Sequence, residues 1–368
     1  MSTTGSQQTS TFLTAQALRG IAALSVVAHH AQSIWGERIV TPPLTDVPLN
    51  LSFGVDIFFV LSGFVMVLSS QNLIPRPEGW REFMRRRLLR IVPLYWLVTL
   101  IKLAILFVVP VMVSRASPSI LNIACSFLFI PSFNELGEIR PVVSDGWTLN
   151  FEMMFYLLFA AALFLRISIF KFMTAAMAVL CGLAALRTSS WPGFTGGANL
   201  IVVDFLFGMA IAALIKRGCR LSAPAGLLLI LASLAIILGV NLGPTLTLSN
   251  TVDTQLLRLA VWGLPSALIV FSAVAAEANF SKYLPKWCLL IGDASYSIYL
   301  IHPFILPPLA MVLVKFHVPP AFILPLLLVA GLAVSTVVGI LVHRFIELPM
   351  VDWCKKIIRP AGQTPKLA

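Results

Sequence analysis

Residues 17–31 read ALRGIAALSVVAHHA. The run is apolar enough to enter a bilayer, yet it carries Arg19, His29 and His30. Ionisable groups inside a membrane are expensive to hold, so each one is a functional candidate by default. At about 100° per residue, the roughly eleven steps from Arg19 to His30 make three turns with about 20° left over. The two side chains therefore share one helix face, about 16 Å apart along the axis. His29 points about 100° away from His30 and cannot act at the same place.

The rest of the chain also fits a bilayer. Of its 368 residues 58% are hydrophobic and only 11% charged, with a mean hydropathy of +0.93. That composition belongs to an all-α, polytopic helical membrane protein and excludes an ordinary soluble domain. Stretches near 13–35, 53–71, 88–113, 147–165, 169–186, 198–215, 224–241, 256–275, 289–314 and 320–345 are each long enough to span, giving about ten transmembrane helices in one bundle. A further apolar run, 118–131, is short and bracketed by prolines, which suits a re-entrant or interfacial segment. With the N-terminus inside, most of the 26 Lys and Arg residues fall in cytoplasmic segments. Only Arg38, Arg115, Arg140, Arg187 and Lys315 fall in exterior loops. A full span at 118–131 would invert every later loop and spoil that bias. The expectation is N-in and C-in, one transmembrane domain over 1–353 and a basic cytoplasmic tail over 354–368. The N-terminal residues lack a basic n-region, so the first apolar run is expected to be retained as a helix and not removed as a signal peptide. The bases lie at membrane boundaries, so the formal charge of +11 implies no nucleic-acid partner. The 5 cysteines are scattered, implying neither a disulfide framework nor a metal site.

Under this topology Asp56, Glu152 and Asp204 come to rest near the depth of His30, on different helices. One reading makes His30 a general base balanced by a carboxylate. The other makes these groups helix-packing residues, and Asp56 and Asp204 can be held by helix dipoles. At the inner end the run FMRRRLLRIVP, 83–93, concentrates arginine beyond what orientation requires. Guanidinium groups bind phosphates bidentately, so a phosphorylated donor could dock there; contact with anionic lipid is the alternative. Arg19 lies inside the span, where topology does not need it. In LLIGDASYSIYLIHPFI, 289–305, Ser295, Tyr299 and His302 recur at helical spacing as one polar stripe, a channel lining or an interhelical seam. Pro303 is expected to kink that helix or free a carbonyl. Glu347 is expected to pair with inner-surface arginines. No phosphate-loop, HExxH or GxSxG signature is present.

Taken in order, these segments resemble the membrane-bound acyltransferase 3 family. The residues that carry the likeness are Arg19, Gly20 and His30, fitting an Arg-x10-His pattern; Phe83, Arg86 and Arg87, fitting Phe-x-x-Arg-Arg; Arg90 and Pro93; GVDIFFVLSGF; WTLNFE, ending at Glu152; GDASYSIYLIHP; and FIELP. The resemblance implies a multi-pass enzyme of the bacterial cytoplasmic membrane. It would move an acyl group, acetyl above all, from cytoplasmic acyl-CoA to a hydroxyl of an exported or cell-surface glycan, free or lipid-linked, as exopolysaccharide and O-antigen O-acetyltransferases do. No permanently bound cofactor is implied. Catalytic roles fall to His30, Glu152 and Arg19 and donor binding to Arg19, Arg86, Arg87 and Arg90; Asp56, Asp204, Trp147, Tyr299 and His302 are the further candidates for substrate binding. Two alternatives stand beside it: a transporter or flippase of an anionic or lipid-linked solute, and an acyltransferase with a non-glycan acceptor.

Overall fold

The computed structural model describes residues 12–40, 49, 51–108, 119–188, 190–240 and 251–358. The polar N-terminus, Arg115 and the chain beyond Ile358 lie outside the described residues. All the regular structure described is helical: α1 (Leu13–Arg38), α2 (Gly54–Ser69), α3 (Gly79–Val108), α4 (Ile120–Phe127), α5 (Trp147–Leu165), α6 (Ile169–Leu186), α7 (Val203–Lys216), α8 (Ala223–Gly239), α9 (Val252–Arg258), α10 (Leu264–Ala275), α11 (Glu277–Phe280), α12 (Lys286–Asp293), α13 (Ser295–Lys315), α14 (Pro320–Val342) and α15 (Leu348–Ile358). Among the described residues six helical segments are long and apolar enough to cross a membrane, and α2 and α8 are shorter apolar helices. A helix meets each stretch read from hydropathy.

The differences lie at the ends. α3 starts at Gly79, so the arginine cluster rides on its first turns and not in a preceding loop. The segment read as one span over 289–314 is two helices, α12 and α13, broken at Ala294. The break lets α12 lie against α1: a Cβ on Gly292 would sit 2.1 Å from the Gln16 carbonyl oxygen. It also puts the Asp293 carboxylate 2.6 Å from the Gln16 amide nitrogen. α13 carries Pro303, Pro307 and Pro308 within its length. α15 runs through the boundary placed at 353 and on to Ile358. The run 118–131 forms only the eight-residue α4, about 12 Å long and too short for a hydrocarbon core of about 30 Å. Its Asn122 amide donates to Ser132 Oγ at 3.0 Å and to the Arg140 carbonyl at 2.9 Å, tying the following loop down.

In lipid, helices associate through close packing and satisfied polar groups, not through hydrophobic collapse. α2 and α7 approach through glycine, and a Cβ on Gly208 would lie 1.9 Å from the Val60 carbonyl oxygen. The N-terminus of α1 is capped from far along the chain. Glu277 accepts from the Leu13 and Thr14 amides at 2.8 and 3.2 Å and from the Thr14 hydroxyl, and its charge faces the positive end of the helix dipole. Asp56 and Arg258 form a buried ion pair, Arg258 Nη2 to Asp56 Oδ2 at 2.7 Å. Asp204 lies beside it, fully buried. A π-turn over Leu259–Gly263 joins α9 to α10 and lets Arg258 lie 5.3 Å from the Trp262 ring centre. Glu347 lies near enough to Arg19 to act on its charge, but its hydrogen bonds go to other groups and not to an arginine as expected. It is buried and accepts from Ser297 Oγ at 2.7 Å, with His343 Nδ1 at 2.8 Å, locking α13 to the π-turn that follows α14.

Removing one partner of a buried pair leaves a charge without compensation. Arg258→Ala should therefore cost about 3–5 kcal/mol, read as a large fall in thermal midpoint of the detergent-solubilised protein. Asp56→Asn combined with Arg258→Gln should recover part of that fall.

Candidate active site

Three elements converge at one end of the bundle. α1 supplies His30, α13 supplies His302, and the turn Ser144–Gly146 before α5 supplies Asp145. His302 Nε2 lies 2.9 Å from His30 Nδ1 and 3.3 Å from Asp145 Oδ2. His30 Nε2 is 3.5 Å from Asp145 Oδ1. The two imidazoles stack with centroids 4.9 Å apart. His302 has no exposed surface, whereas a third of the His30 side chain is exposed, so His30 is the member a second substrate can reach. His29 is buried and meets His30 only ring edge to face.

Tyr299 holds this arrangement in place. Its hydroxyl donates to the Asp145 carbonyl at 2.8 Å and lies 2.9 Å from Thr148 Oγ1. The stripe of Tyr299 and His302 on α13 is therefore the seam that carries the site. Ser295, the third member of the stripe, is buried away from any hydrogen-bond partner among the described residues.

The chemistry available follows from these distances. At 2.9 Å, one ring nitrogen of the pair carries a proton and the other accepts it. The neighbouring carboxylate favours the imidazolium that forms when His30 takes up a proton. His30, His302 and Asp145 each offer one ligating atom, and these lie within 4.8 Å of one another, a spacing one divalent cation could also bridge.

A cavity with about 810 Å³ of empty space, part of it open to solvent, begins at Thr148 and Tyr299 beside this cluster and extends to Arg19 on α1. Thr148 and Tyr299 line its near end, and Arg19, Arg87 and Arg90 supply its cations. Phe58, Phe59, Val65 and Ile91 make much of the wall between. Glu152 faces this cavity and not His30; it accepts from Ser62 Oγ at 3.2 Å and from the Tyr156 hydroxyl. Arg87 bonds Ser69 Oγ and lies over the rings of Phe83 and Tyr156, at 5.5 and 5.6 Å. Tyr296 also lines it, its hydroxyl donating to the Ile91 carbonyl at 2.7 Å.

The residues expected to work together are thus sorted into groups. Arg19, Arg87 and Arg90 come together. Arg86 does not join them: it is half exposed and pairs with Glu82 at 2.6 Å, one turn earlier on the same helix. Glu152 lies about two turns, roughly 10 Å, beyond Asp145 on one helix face, and Asp145 takes the place beside His30. Asp56 and Asp204 line neither this cavity nor the cluster; they belong with Arg258. Trp147 is buried against Phe59 and Phe151. Asp145 is the residue that reading the sequence missed. Its signal was its position just before the first turn of α5, at the depth assigned to His30.

The fold and this site define a multi-pass helical membrane protein with a cation-lined cavity that ends beside a His–His–Asp cluster. The acyltransferase domain family matches residues 15–344, and the chain belongs to that family, the acyltransferase 3 family of membrane acyltransferases. It is 30% identical over 305 residues to the exopolysaccharide production protein ExoZ of Rhizobium meliloti (strain 1021), covering 81% of this chain and 89% of that one. Over 315 residues it is 24% identical to the acyltransferase MdmB of Streptomyces mycarofaciens, covering 77% of this chain and 76% of that protein. No solved structure matches it.

Tyr299→Phe removes the hydroxyl that joins α13 to Asp145 and Thr148. Losing hydrogen bonds of this kind in a buried site costs about 1–3 kcal/mol. Acyl transfer by the purified variant should fall roughly ten- to a hundredfold, with the amount of folded protein unchanged.

Proposed function

We propose that this protein is an O-acyltransferase of the bacterial cytoplasmic membrane. It moves an acetyl group from cytoplasmic acetyl-CoA to a hydroxyl of an exported glycan. The reading includes ten crossings with both termini inside. The observation that carries it is the cavity that sets Arg19, Arg87 and Arg90 together with Thr148 and Tyr299, whose hydroxyls both reach the Asp145 carbonyl beside His30. Membership of an acyltransferase family supports the reaction class, and a relative named for exopolysaccharide production supports the glycan.

The acyl-CoA phosphates bind Arg19, Arg87 and Arg90, which offer forked donors at the cytoplasmic end. The pantetheine arm lies along the apolar wall and brings the thioester toward Thr148 and Tyr299. His30 takes the proton of the acceptor hydroxyl as its oxygen forms the new bond to the acyl carbon. The carbon–sulfur bond breaks, and the departing CoA thiolate takes up the proton that His30 holds. Asp145 stabilises the transient imidazolium, and His302 fixes the tautomer and plane of the His30 ring. Glu152, held by Ser62 and Tyr156, sets the charge balance of the donor cavity in place of the partner role first given to it.

Substituting the two neighbouring histidines separately tests the assignment. His30→Ala should lower acyl transfer about 10²- to 10⁴-fold, while His29→Ala stays within about tenfold of the parent. Retained transfer in His30→Ala removes its assigned role. In the parent, free CoA should appear only when acceptor is present; uptake of solute without CoA release would favour transport instead.

The arginines give a second test. Arg19→Gln, Arg87→Gln and Arg90→Gln each remove a charge-assisted bond worth about 1.5–3 kcal/mol, so the KM for acetyl-CoA should rise on the order of tenfold or more. Arg86→Gln, which loses only the contact with Glu82, should leave that KM near its starting value.

A further inference from the structure

α5 separates two cavities. Thr148, Glu152 and Tyr156 face the donor cavity, whereas Trp147, Asn150 and Phe151 face a second one. The two sets follow the i, i+3, i+4 spacing of different faces of one helix. The second cavity encloses about 1070 Å³ of empty space, part of it open to solvent. It adjoins the His30 end of the bundle. Trp147 in its wall comes two positions after Asp145, and Arg140, also in its wall, reaches Ser144 Oγ at 3.4 Å, next to Asp145 in the chain.

Its lining differs in kind from that of the donor cavity. Arg140, Arg187 and Glu138 bring charge, and Trp147 and Phe133 bring aromatic surface. Asn150 is only 5% exposed, and its side-chain oxygen meets no hydrogen-bond donor among the described residues. A buried amide oxygen left without a donor costs free energy, so it favours a ligand that brings a hydroxyl. Sugars bring hydroxyls on one side and C–H faces that pack on aromatic rings on the other. The guanidinium groups of Arg140 and Arg187 offer forked donors whose geometry matches a carboxylate.

We propose that this second cavity is the acceptor site and that it selects a glycan whose sugar carries a carboxylate, held by Arg140 and Arg187 beside the hydroxyl that His30 serves. The proposal rests on the acyltransferase reading above for its acceptor, but the site itself is a binding site and is testable without any acyl transfer. α5 then works as a partition: donor on one face, acceptor on the other, and the His–His–Asp cluster at its N-terminal end where the two meet.

The test is equilibrium binding to the purified full-length protein, without acyl-CoA, of a glucuronate-containing oligosaccharide and of the same oligosaccharide with its carboxyl reduced to an alcohol. The acidic form should bind at least about tenfold tighter, as a charge-assisted arginine contact implies. Arg187→Gln and Arg140→Gln should each erase most of that preference. The weaker affinity for the reduced form and the affinity for acetyl-CoA should stay within about threefold of the parent. Asn150→Ala should weaken both oligosaccharides alike. Unchanged thermal midpoints would exclude misfolding as the cause, and Arg187→Lys, which keeps the charge, should retain part of the preference if either glutamine variant proves unstable. Equal binding of the two oligosaccharides by the parent, or a preference that survives both glutamine substitutions, would overturn the proposal. Failure of the acyltransferase reading would look different: selective binding of the acidic glycan with no release of CoA.

Discussion

The hydroxyl of Tyr299 donates to the main-chain carbonyl of Asp145, and the arrangement of the site depends on that bond. It fixes the start of α5 against α13, so the Asp145 carboxylate meets His302 from the same helix and His30 from α1. Loosen it and the carboxylate is free to turn away, leaving two stacked imidazoles without the group that balances a proton on either. The bond is made between backbone and side chain of two buried residues. There it is stronger than in solution and costly to leave unmade. The same hydroxyl lies against Thr148, which lines the donor cavity. A single side chain thus couples the position of the proposed base to the shape of the cavity beside it.

The remaining buried charges show why the bundle can hold such a site. Several are matched locally: Arg258 with Asp56, Glu347 with Ser297 and His343, Glu277 with the first amides of α1. Polar groups at membrane depth are tolerated when they meet each other or line a cavity. Arg19 is matched in the second way. It opens into the donor cavity with Arg87 and Arg90, facing Glu152 across it. Cations clustered around empty space rather than tied into a fixed pair are available to an anionic ligand. That distinguishes them from Arg258, whose guanidinium lies against Asp56 and Trp262.

Much of this was legible in the sequence wherever the signal was local. Hydropathy placed the helices, and helical spacing put Arg19 and His30 on one face. The prolines bracketing 118–131 marked a segment too short to span, and spacing on α13 put Tyr299 near His302. Partner choice was not legible, because it depends on residues far apart in the chain. Asp56 and Arg258 are separated by 202 positions, Thr14 and Glu277 by 263. Assigning depth alone put Asp56, Glu152 and Asp204 beside His30, since depth says nothing about direction around the bundle. Asp145 was passed over because its neighbours read as a loop and Glu152 already satisfied the expected motif. Arg86 carried a readable warning. Glu82 lies four residues before it, the spacing of a pair within one helix. Arg86 and Arg87 also differ by about 100° of rotation, so the two side chains leave the helix in different directions.

In the proposed reaction the donor phosphates and the base lie at opposite ends of the bundle, and the acyl group crosses the bilayer as it is transferred. Sealed proteoliposomes with the protein in one orientation test this directly. Acetyl-CoA labelled in the acetyl group is enclosed with the arginine-bearing end, and the glycan acceptor is supplied only on the other side. The account predicts that label appears on the external glycan while free CoA stays inside. Transfer that occurs only when acetyl-CoA and glycan share one compartment would contradict it.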